Sequence, residues 1–484
     1  MRSSAQFGRV GRFASSADHA GPILCWIVLL LCLAPYAALI GSGHWATDEF
    51  FVAMVERHDR FLAVIDRMRG WSPRPFSETV MAVYFRLADL ARRPLVVPFL
   101  AAGWIGAVAA VAWAGVRSRL AQPVLLAVAL LVAMLLLGRP DELFYWPMAT
   151  SAYLSAWAGL AVVTVLMLGE ASAPLPLTAA LLVASLSAEA GAMAVAVAGA
   201  AMLAYGMLRR QPGRFAAVWL LPLLAAASVC LSVGRHRMAM MAEVMDHASG
   251  FAGHWPASLR GAVAPFLGEL GGVYGVAPFP AVLIKLAVIL GLPGHRTISR
   301  ETIRTATWPV VLWTASILLA CYATVALSLH QFGTVCCVRH ATLRQGLSLI
   351  AGLGLCSLLP FRIAAPVRVL SLSVALLVLL AIRMPVLRGD LALLPAQIAA
   401  RDATWSSGEA SGETMHYLMA PPGALSGGAT WPARLICLPD REARPYGPES
   451  IAGYFRKRVL VMVPWAARDR PVQGQCPAWP RPPP

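Results

Sequence analysis

The stretch PILCWIVLLLCLAPYAALI, residues 22–40, is followed directly by GSGHWATDEF, residues 41–50. The first stretch is an apolar run long enough to cross the ~30 Å hydrocarbon core of a bilayer. It exceeds the apolar region of about 7–15 residues in a signal peptide, so we expect it to be retained as an anchor. The sequence therefore predicts a membrane-crossing helix that delivers an acidic pair, Asp48 and Glu49, to the membrane surface.

The composition favours a protein that crosses the membrane many times. Of its 484 residues 58% are hydrophobic and only 13% are charged, whereas about 25% charge is usual in soluble proteins. The net charge of +16 comes almost wholly from arginine, because Lys285 and Lys457 are the only lysines. No basic face with interleaved aromatic residues is visible, so no nucleic-acid partner is predicted.

Eleven apolar runs are predicted to cross the membrane. They are residues 22–40, 95–115, 121–138, 152–168, 175–188, 190–208, 215–233, 277–293, 306–328, 346–360 and 366–383. Residues 175–208 are read either as two spans with a tight turn or as one span with a re-entrant segment. The predicted fold is an all-α polytopic membrane domain, residues 1–383, followed by a small C-terminal α+β domain, residues 384–484.

The arginines predict the orientation of the chain. Short connections with several arginines, such as Arg117 and Arg119, fall on the same side as the N-terminus, and the positive-inside rule makes that side cytoplasmic. Arg92 and Arg93 lie on the opposite side of the membrane, but arginines in long loops count for less in the positive-inside rule. Eleven spans then put the C-terminal domain outside, as expected for a multi-pass protein of a bacterial inner (plasma) membrane.

The segments predicted to face outward are the long ones. Residues 41–94 show helical spacing of apolar and charged positions, as expected of interfacial amphipathic helices. In the C-terminal domain, residues 434–438 and 458–464 alternate like strands, and residues 476–484 form a proline-rich end. Cys437 and Cys476 either form a disulfide or remain free, and no cysteine or histidine spacing indicates a metal site.

Three charged clusters fall on the same predicted side as the acidic pair. The first combines charged and aromatic residues that suit a sugar; its alternative is an interfacial aromatic belt. It contains Arg139, Asp141, Glu142 and Tyr145. The second is Glu189, an acid in apolar sequence that should sit at a turn or pair with an arginine. The third is Arg339 with His340, where the arginine suits a phosphate or, alternatively, reaches lipid head groups.

This layout resembles the GT-C superfamily of integral-membrane glycosyltransferases, which take sugars from polyprenyl-phosphate donors on the extracytoplasmic face. The match is architectural and covers most of the chain. Members of the family commonly have one or two acidic residues in the first outer loop, and residues 46–50 match this feature. The resemblance implies that Asp48, or Glu49 beside it, is the general base. It implies that Arg339 and Arg74 hold the donor phosphate and that His340 belongs to the same site.

The resemblance also implies a set of residues that line the sugar or acceptor site. These substrate-binding candidates are Arg139, Asp141, Glu142, Tyr145 and Glu189. The acceptor would be a glycan, a lipid or a protein. No cofactor is predicted, although some relatives use a divalent metal. Two other functions remain open: a transporter or flippase for lipid-linked oligosaccharide, and a polysaccharide polymerase or ligase that depends on arginine or histidine more than on Asp48.

Overall fold

A computed structural model describes residues 17–70, 73–169, 174–244, 253–293, 300–359, 363–427, 431–439, 447–470 and 476. The described chain is mostly helical, with one small sheet near its C-terminal end. Of the proline-rich end predicted for 476–484, all but the first residue lie outside the described part.

Seventeen α-helices precede the first strand in the described residues. They are α1 (Ala17–Ala38), α2 (Thr47–Asp59), α3 (Phe61–Gly70), α4 (Pro75–Ala91), α5 (Val96–Arg117), α6 (Pro123–Leu137), α7 (Asp141–Tyr145), α8 (Pro147–Ala149), α9 (Ser155–Leu168), α10 (Pro174–Ser187), α11 (Glu189–Leu208), α12 (Pro212–Val244), α13 (Trp255–Gly271), α14 (Pro278–Gly291), α15 (Arg300–Phe332), α16 (Val338–Ser357) and α17 (Ala365–Glu409). A 3₁₀ turn, Leu39–Ser42, extends α1, and a π-helical turn, Thr150–Leu154, joins α8 to α9.

Seven of the described helices are long and apolar enough to cross a membrane, and they identify a multi-pass membrane protein. They are Gly21–Ser42, Val96–Arg117, Pro147–Leu168, Glu189–Leu208, Pro212–Ser232, Thr307–Phe332 and Ala365–Glu409. The predicted number of eleven spans is therefore not confirmed. The remaining four predicted segments form helices that are shorter or more polar than a span requires.

Helix length and helix polarity explain the difference. Helices α6, α10 and α14 have 15, 14 and 14 residues, or about 21–23 Å at 1.5 Å per residue, short of the ~30 Å core. Helix α6 is buried along nearly its whole length, so its apolar sequence reflects packing inside the bundle. Helix α16 carries Arg344 and Gln345, both buried, which lowers its hydropathy.

The first loop, residues 41–94, forms the three helices α2, α3 and α4. Proline opens α4 at Pro75, where its fixed φ suits the first turn of a helix. Part of the predicted break before α4 lies outside the described residues, which omit 71–72. Helix α4 is fastened to the end of α10, because the Ser77 hydroxyl donates to the Ser187 carbonyl at 3.1 Å. The loop thus packs on the ends of the membrane helices.

Helices α10 and α11 are separated by one residue. Ala188 is extended, with φ −153° and ψ 154°, and Glu189 begins α11. Residues 175–208 form two helices joined by a tight turn, but only α11 is long enough for a span, so the alternative of two spans is confirmed in its turn and not in its number of spans. That turn puts a carboxylate at the end of the bundle that faces the first loop.

Helix α17 runs for 45 residues from the bundle to the C-terminal sheet. The predicted domain boundary at 383/384 falls inside it. The sheet has the order β1-β3-β2, with β1 (Thr414–Met419) parallel and β2 (Arg434–Cys437) antiparallel to β3 (Val459–Pro464). A short helix, α18 (Glu449–Tyr454), precedes β3. The strands predicted from alternation at 434–438 and 458–464 are confirmed, whereas β1 was not predicted.

The C-terminal sheet region packs on the first loop through aromatic residues. The ring of Trp45 lies 5.1 Å from that of Trp405 and 5.4 Å from that of Tyr454. Arg57 donates to the backbone carbonyl of Tyr454 at 2.6 Å and lies 3.8 Å over its ring. Such buried aromatic pairs each contribute about 0.5–1.5 kcal/mol beyond their area. The contacts fix the start of α2, which carries the acidic pair.

Candidate functional site

A buried ion pair joins the first loop to the α10–α11 turn. One Nη of Arg74, the residue before α4, donates to both carboxylate oxygens of Glu189 at 2.8 and 2.6 Å. The two side chains are only 12% and 9% exposed. Burial lowers the pKa of Arg74, but the charge and hydrogen bonds of Glu189, together with Tyr153 and Glu78, outweigh it and raise that pKa. The prediction that Glu189 sits at a turn or pairs with an arginine is confirmed in both respects.

Tyr153 extends this pair towards α16. Its hydroxyl accepts a hydrogen bond from Arg74 at 3.2 Å and lies 2.8 Å from Nε2 of His340. Burial, reinforced by the charge of Arg339, lowers the pKa of His340 to about 3, so its imidazole is neutral near pH 7. Tyr153 belongs to the π-helical turn, a feature that frequently occurs at functional sites. The four side chains form one connected network.

Arg339 makes a second ion pair next to this network, and it is more exposed. Its Nη1 donates to Glu142 Oε2 at 3.1 Å, and its guanidinium lies 4.9 Å over the ring of Trp146. The side chains of Arg339 and Glu142 are 25% and 35% exposed. This pair is more exposed than Arg74–Glu189, so exchanging Glu142 for another anion costs less than breaking the buried pair.

The acidic pair divides into two different environments. Glu49 is fully buried, and its two oxygens accept from the backbone N–H groups of Ala46 at 2.9 Å and Met148 at 3.1 Å. Burial raises the pKa of Glu49 to about 8. Glu49 therefore caps α2 and fastens it to α8, which makes it a poor candidate for a base. Asp48 is half-buried in the first turn of α2 and remains the candidate.

The remaining members of the first cluster lie further along the same end of the bundle. Nη2 of Arg139 contacts Asp141 Oδ2 at 3.0 Å, and the other Asp141 oxygen has no hydrogen-bond partner among the described residues. Burial raises the pKa of Asp141 to about 6. Tyr145 is fully buried and donates to the Tyr36 carbonyl at 3.0 Å. Its position between helices gives no access to a sugar, unlike that of Glu142.

An apolar groove of about 490 Å³ runs between α4, α5, α9 and α10. We call it the first groove. Small residues, among them Gly103, Gly106 and Gly159, leave its space open. Its lining includes Val80 and Val183, which lie six residues along the chain from Arg74 and from Glu189, respectively. Residues of the groove are therefore close in the chain to both members of the buried ion pair.

One group of side chains has the donor atoms of a metal site. Cys336, Cys337 and His340 each offer one ligand atom within 4.8 Å of the others. Cys336 and Cys337 are joined in a disulfide, so this group would take a metal only after reduction. The predicted alternative of a Cys437–Cys476 disulfide is confirmed. The five free cysteines lie within helices.

Sequence reasoning missed the residues that connect the site. Tyr153 and Trp146 looked like parts of an apolar span and an aromatic belt, and no spacing related them to Arg74 or Arg339. Arg344, which is 3% exposed, was also missed; its Nη2 donates to Glu269 Oε1 at 2.7 Å. A π-helical turn has no sequence signature, so only the fold could reveal Tyr153.

Comparisons with protein-family models, with curated proteins and with solved structures gave no match. The site therefore has to be interpreted from its own chemistry.

Proposed function

We propose that the protein is a membrane glycosyltransferase that moves a sugar from a polyprenyl-phosphate donor to a cell-envelope glycan, lipid or protein acceptor. The proposal is carried by the first groove, an apolar slot with lining residues six positions along the chain from Arg74 and from Glu189, and by the more exposed Arg339 beside the network of that pair. A lipid-linked phosphate has these two parts, a long apolar chain and an anionic group that an arginine fork binds in a bidentate way.

The exposure of the two ion pairs decides which arginine receives the phosphate. Breaking a buried pair such as Arg74–Glu189 costs about 3–5 kcal/mol, whereas the more exposed Arg339–Glu142 pair costs less to break, towards the ~1 kcal/mol of surface pairs. In the proposal Arg339 turns from Glu142 to the phosphate, and Arg74 holds Tyr153 and the end of the groove in position. The neutral His340 adds a hydrogen-bonding group without adding charge.

Asp48 is the proposed general base. It takes the proton from the acceptor hydroxyl while that oxygen attacks the anomeric carbon of the sugar, and the bond from this carbon to the phosphate oxygen breaks. The configuration is inverted, and the lipid phosphate leaves with the bonding electrons. A positioned base contributes about 10²–10⁴-fold. Glu49 supports the assignment indirectly: it ties α2 to the backbone of Met148, two residues from Trp146, over which Arg339 lies.

The proposed location is the extracytoplasmic face of a bacterial inner membrane, with the N-terminus cytoplasmic. The arginine distribution supports this orientation. The Cys437–Cys476 disulfide supports it independently, because disulfides persist in oxidising compartments. Under this orientation the first loop, Glu189, Arg339 and the C-terminal sheet face the same compartment.

The test compares Asp48→Asn with Arg339→Gln in the purified full-length protein. With a radiolabelled polyprenyl-phosphate sugar and membrane extract as acceptor, Asp48→Asn should abolish transfer and leave donor binding intact, whereas Arg339→Gln should weaken binding. Full activity of Asp48→Asn would overturn the assignment of the base. If Arg339→Gln loses activity while Asp48→Asn keeps it, the result would favour the polymerase or ligase class. If the label crosses the membrane of vesicles and no covalent product forms, the result would favour a flippase.

A further inference from the structure

A second groove of about 530 Å³ lies beside the two prolines that flank Arg74. Its walls are α3, the start of α4, the end of α10 and one stripe of α12, which includes Ser228 and Ser232. Its volume is in the usual range for ligand sites, about 300–1,000 Å³. It is distinct from the first groove, with which it shares no lining residue.

This second groove opens sideways from a membrane-crossing helix. Residues 225, 228, 229 and 232 of α12 line it, and at 100° per residue they form one stripe. Leu224 and Leu231 border that stripe and are 59% and 71% exposed. Exposed leucines on a helix that qualifies as a span face lipid, so the groove is accessible from the bilayer.

The second groove is lined by chain neighbours of the Arg74–Glu189 pair. Pro73 and Pro75, which flank Arg74, both line it. Leu186 lines it as well and lies three residues before Glu189. Both grooves thus have lining residues within six positions of this ion pair in the chain, and a transfer reaction needs two binding places whose occupants can be held together.

The polar groups of the second groove have the charge that an anionic head group needs. Arg69, on α3, lines it and is exposed, and within the described part of the chain it forms no ion pair. Ser228 and Ser232 line the opposite wall, and the Ser232 hydroxyl donates to the Ser228 carbonyl at 2.8 Å. The rest of the named lining is apolar, which suits hydrocarbon chains.

We infer that the second groove binds the acceptor and that the acceptor is an anionic lipid with its chains in the groove and its head group at Arg69. The inference rests on the proposed function and narrows its acceptor from three classes to one. A protein or a free glycan would approach from the aqueous side and would gain nothing from an apolar slot open to the bilayer. Transfer would then take place between two lipid-anchored molecules, with the acceptor hydroxyl at Asp48 and the donor phosphate at Arg339.

The experiment uses the full-length protein in nanodiscs with photoactivatable phosphatidylglycerol, and phosphatidylcholine with the same photoactivatable chain as the neutral probe. Labelled peptides are mapped by mass spectrometry. We expect phosphatidylglycerol to label α3 and residues 225–232 about fivefold more than phosphatidylcholine, the preference that one arginine near the surface provides. Arg69→Gln should remove the preference, and Ser228→Trp should reduce labelling with both lipids. Leu220→Trp, an exposed residue elsewhere on α12, is the matched control and should change neither.

Equal labelling by the two lipids, or labelling that Ser228→Trp does not reduce, would overturn the inference and identify ordinary boundary lipid. A photoactivatable polyprenyl phosphate in the same nanodiscs separates this result from the proposed function. If it labels the first groove while phosphatidylglycerol fails in the second, only the lipid acceptor is lost. If it does not label the first groove, the donor assignment fails, and the acceptor inference fails with it.

Discussion

Arg74 and Glu189, 115 residues apart in the chain, are joined by one guanidinium nitrogen that contacts both carboxylate oxygens at 2.8 and 2.6 Å. The pair joins the first loop to the α10–α11 turn, and lining residues of both grooves lie within six positions of it in the chain. It therefore fixes how the first loop sits on the ends of the membrane helices. Its removal should affect stability first, since both charges are buried.

Glu189→Gln should lower the free energy of unfolding by about 3–5 kcal/mol, because it leaves the Arg74 charge buried without its partner. Thermal unfolding of the purified protein in detergent measures the change. Glu142→Gln is the matched control; it breaks the more exposed pair with Arg339 and should cost about 1 kcal/mol. Equal losses in the two variants would contradict the distinction between a structural and an exchangeable arginine.

Arg339→Lys should raise the KM for the lipid-linked donor about tenfold to a hundredfold, because lysine keeps the charge and loses the fork that binds phosphate. Steady-state kinetics with a polyprenyl-phosphate sugar test this. The control is Arg117→Lys, at the far end of α5, which should leave the KM unchanged. If the KM of Arg339→Lys is unaltered, Arg339 does not bind the donor phosphate. It would then be a membrane anchor that reaches lipid head groups, the alternative that the sequence also allows.

Glu49→Gln should make stability less dependent on pH. The folded pKa of Glu49, about 8, lies above its ordinary value of 4.5, so between these values the folded protein holds a proton that the unfolded chain has released. Stability then falls as the pH rises from about 4.5 to 8, by at most about 1.4 kcal/mol per pH unit. The variant mimics the protonated form and should lose this slope. Unfolding temperatures of the variant and the wild type at pH 5, 6.5 and 8 measure this slope. If the slope is the same in both proteins, groups other than Glu49 cause the pH dependence.

Gly106→Phe should raise the KM for the lipid-linked donor while leaving the fold intact. A Cβ at Gly106 meets nothing within 4 Å, so the new ring fills the first groove without a backbone clash. Ile105→Phe is the control: Ile105 is 69% exposed and does not line the groove. If both variants behave like the wild type, the first groove does not hold the donor chain.

Much of the fold could be predicted from local pattern. The apolar runs indicated the helices, the helical spacing in residues 41–94 indicated the loop helices, and alternation indicated β2 and β3. The number of spans could not be predicted in the same way. Helix α6 is as apolar as a span but has only 15 residues and is buried by neighbouring helices, and hydropathy does not distinguish burial in protein from contact with lipid.

The candidate site was predictable in part. The sequence by itself determined that acids and arginines gather at the ends of apolar segments, because charge is excluded from the hydrocarbon core. Only the tertiary structure decided their partners. Arg74 pairs with Glu189, and Arg339 pairs with Glu142. Glu49 instead caps α2, and Tyr145 is buried between helices. These outcomes depend on contacts between segments about a hundred or more residues apart, and such contacts are set by how the helices pack, which local sequence does not encode.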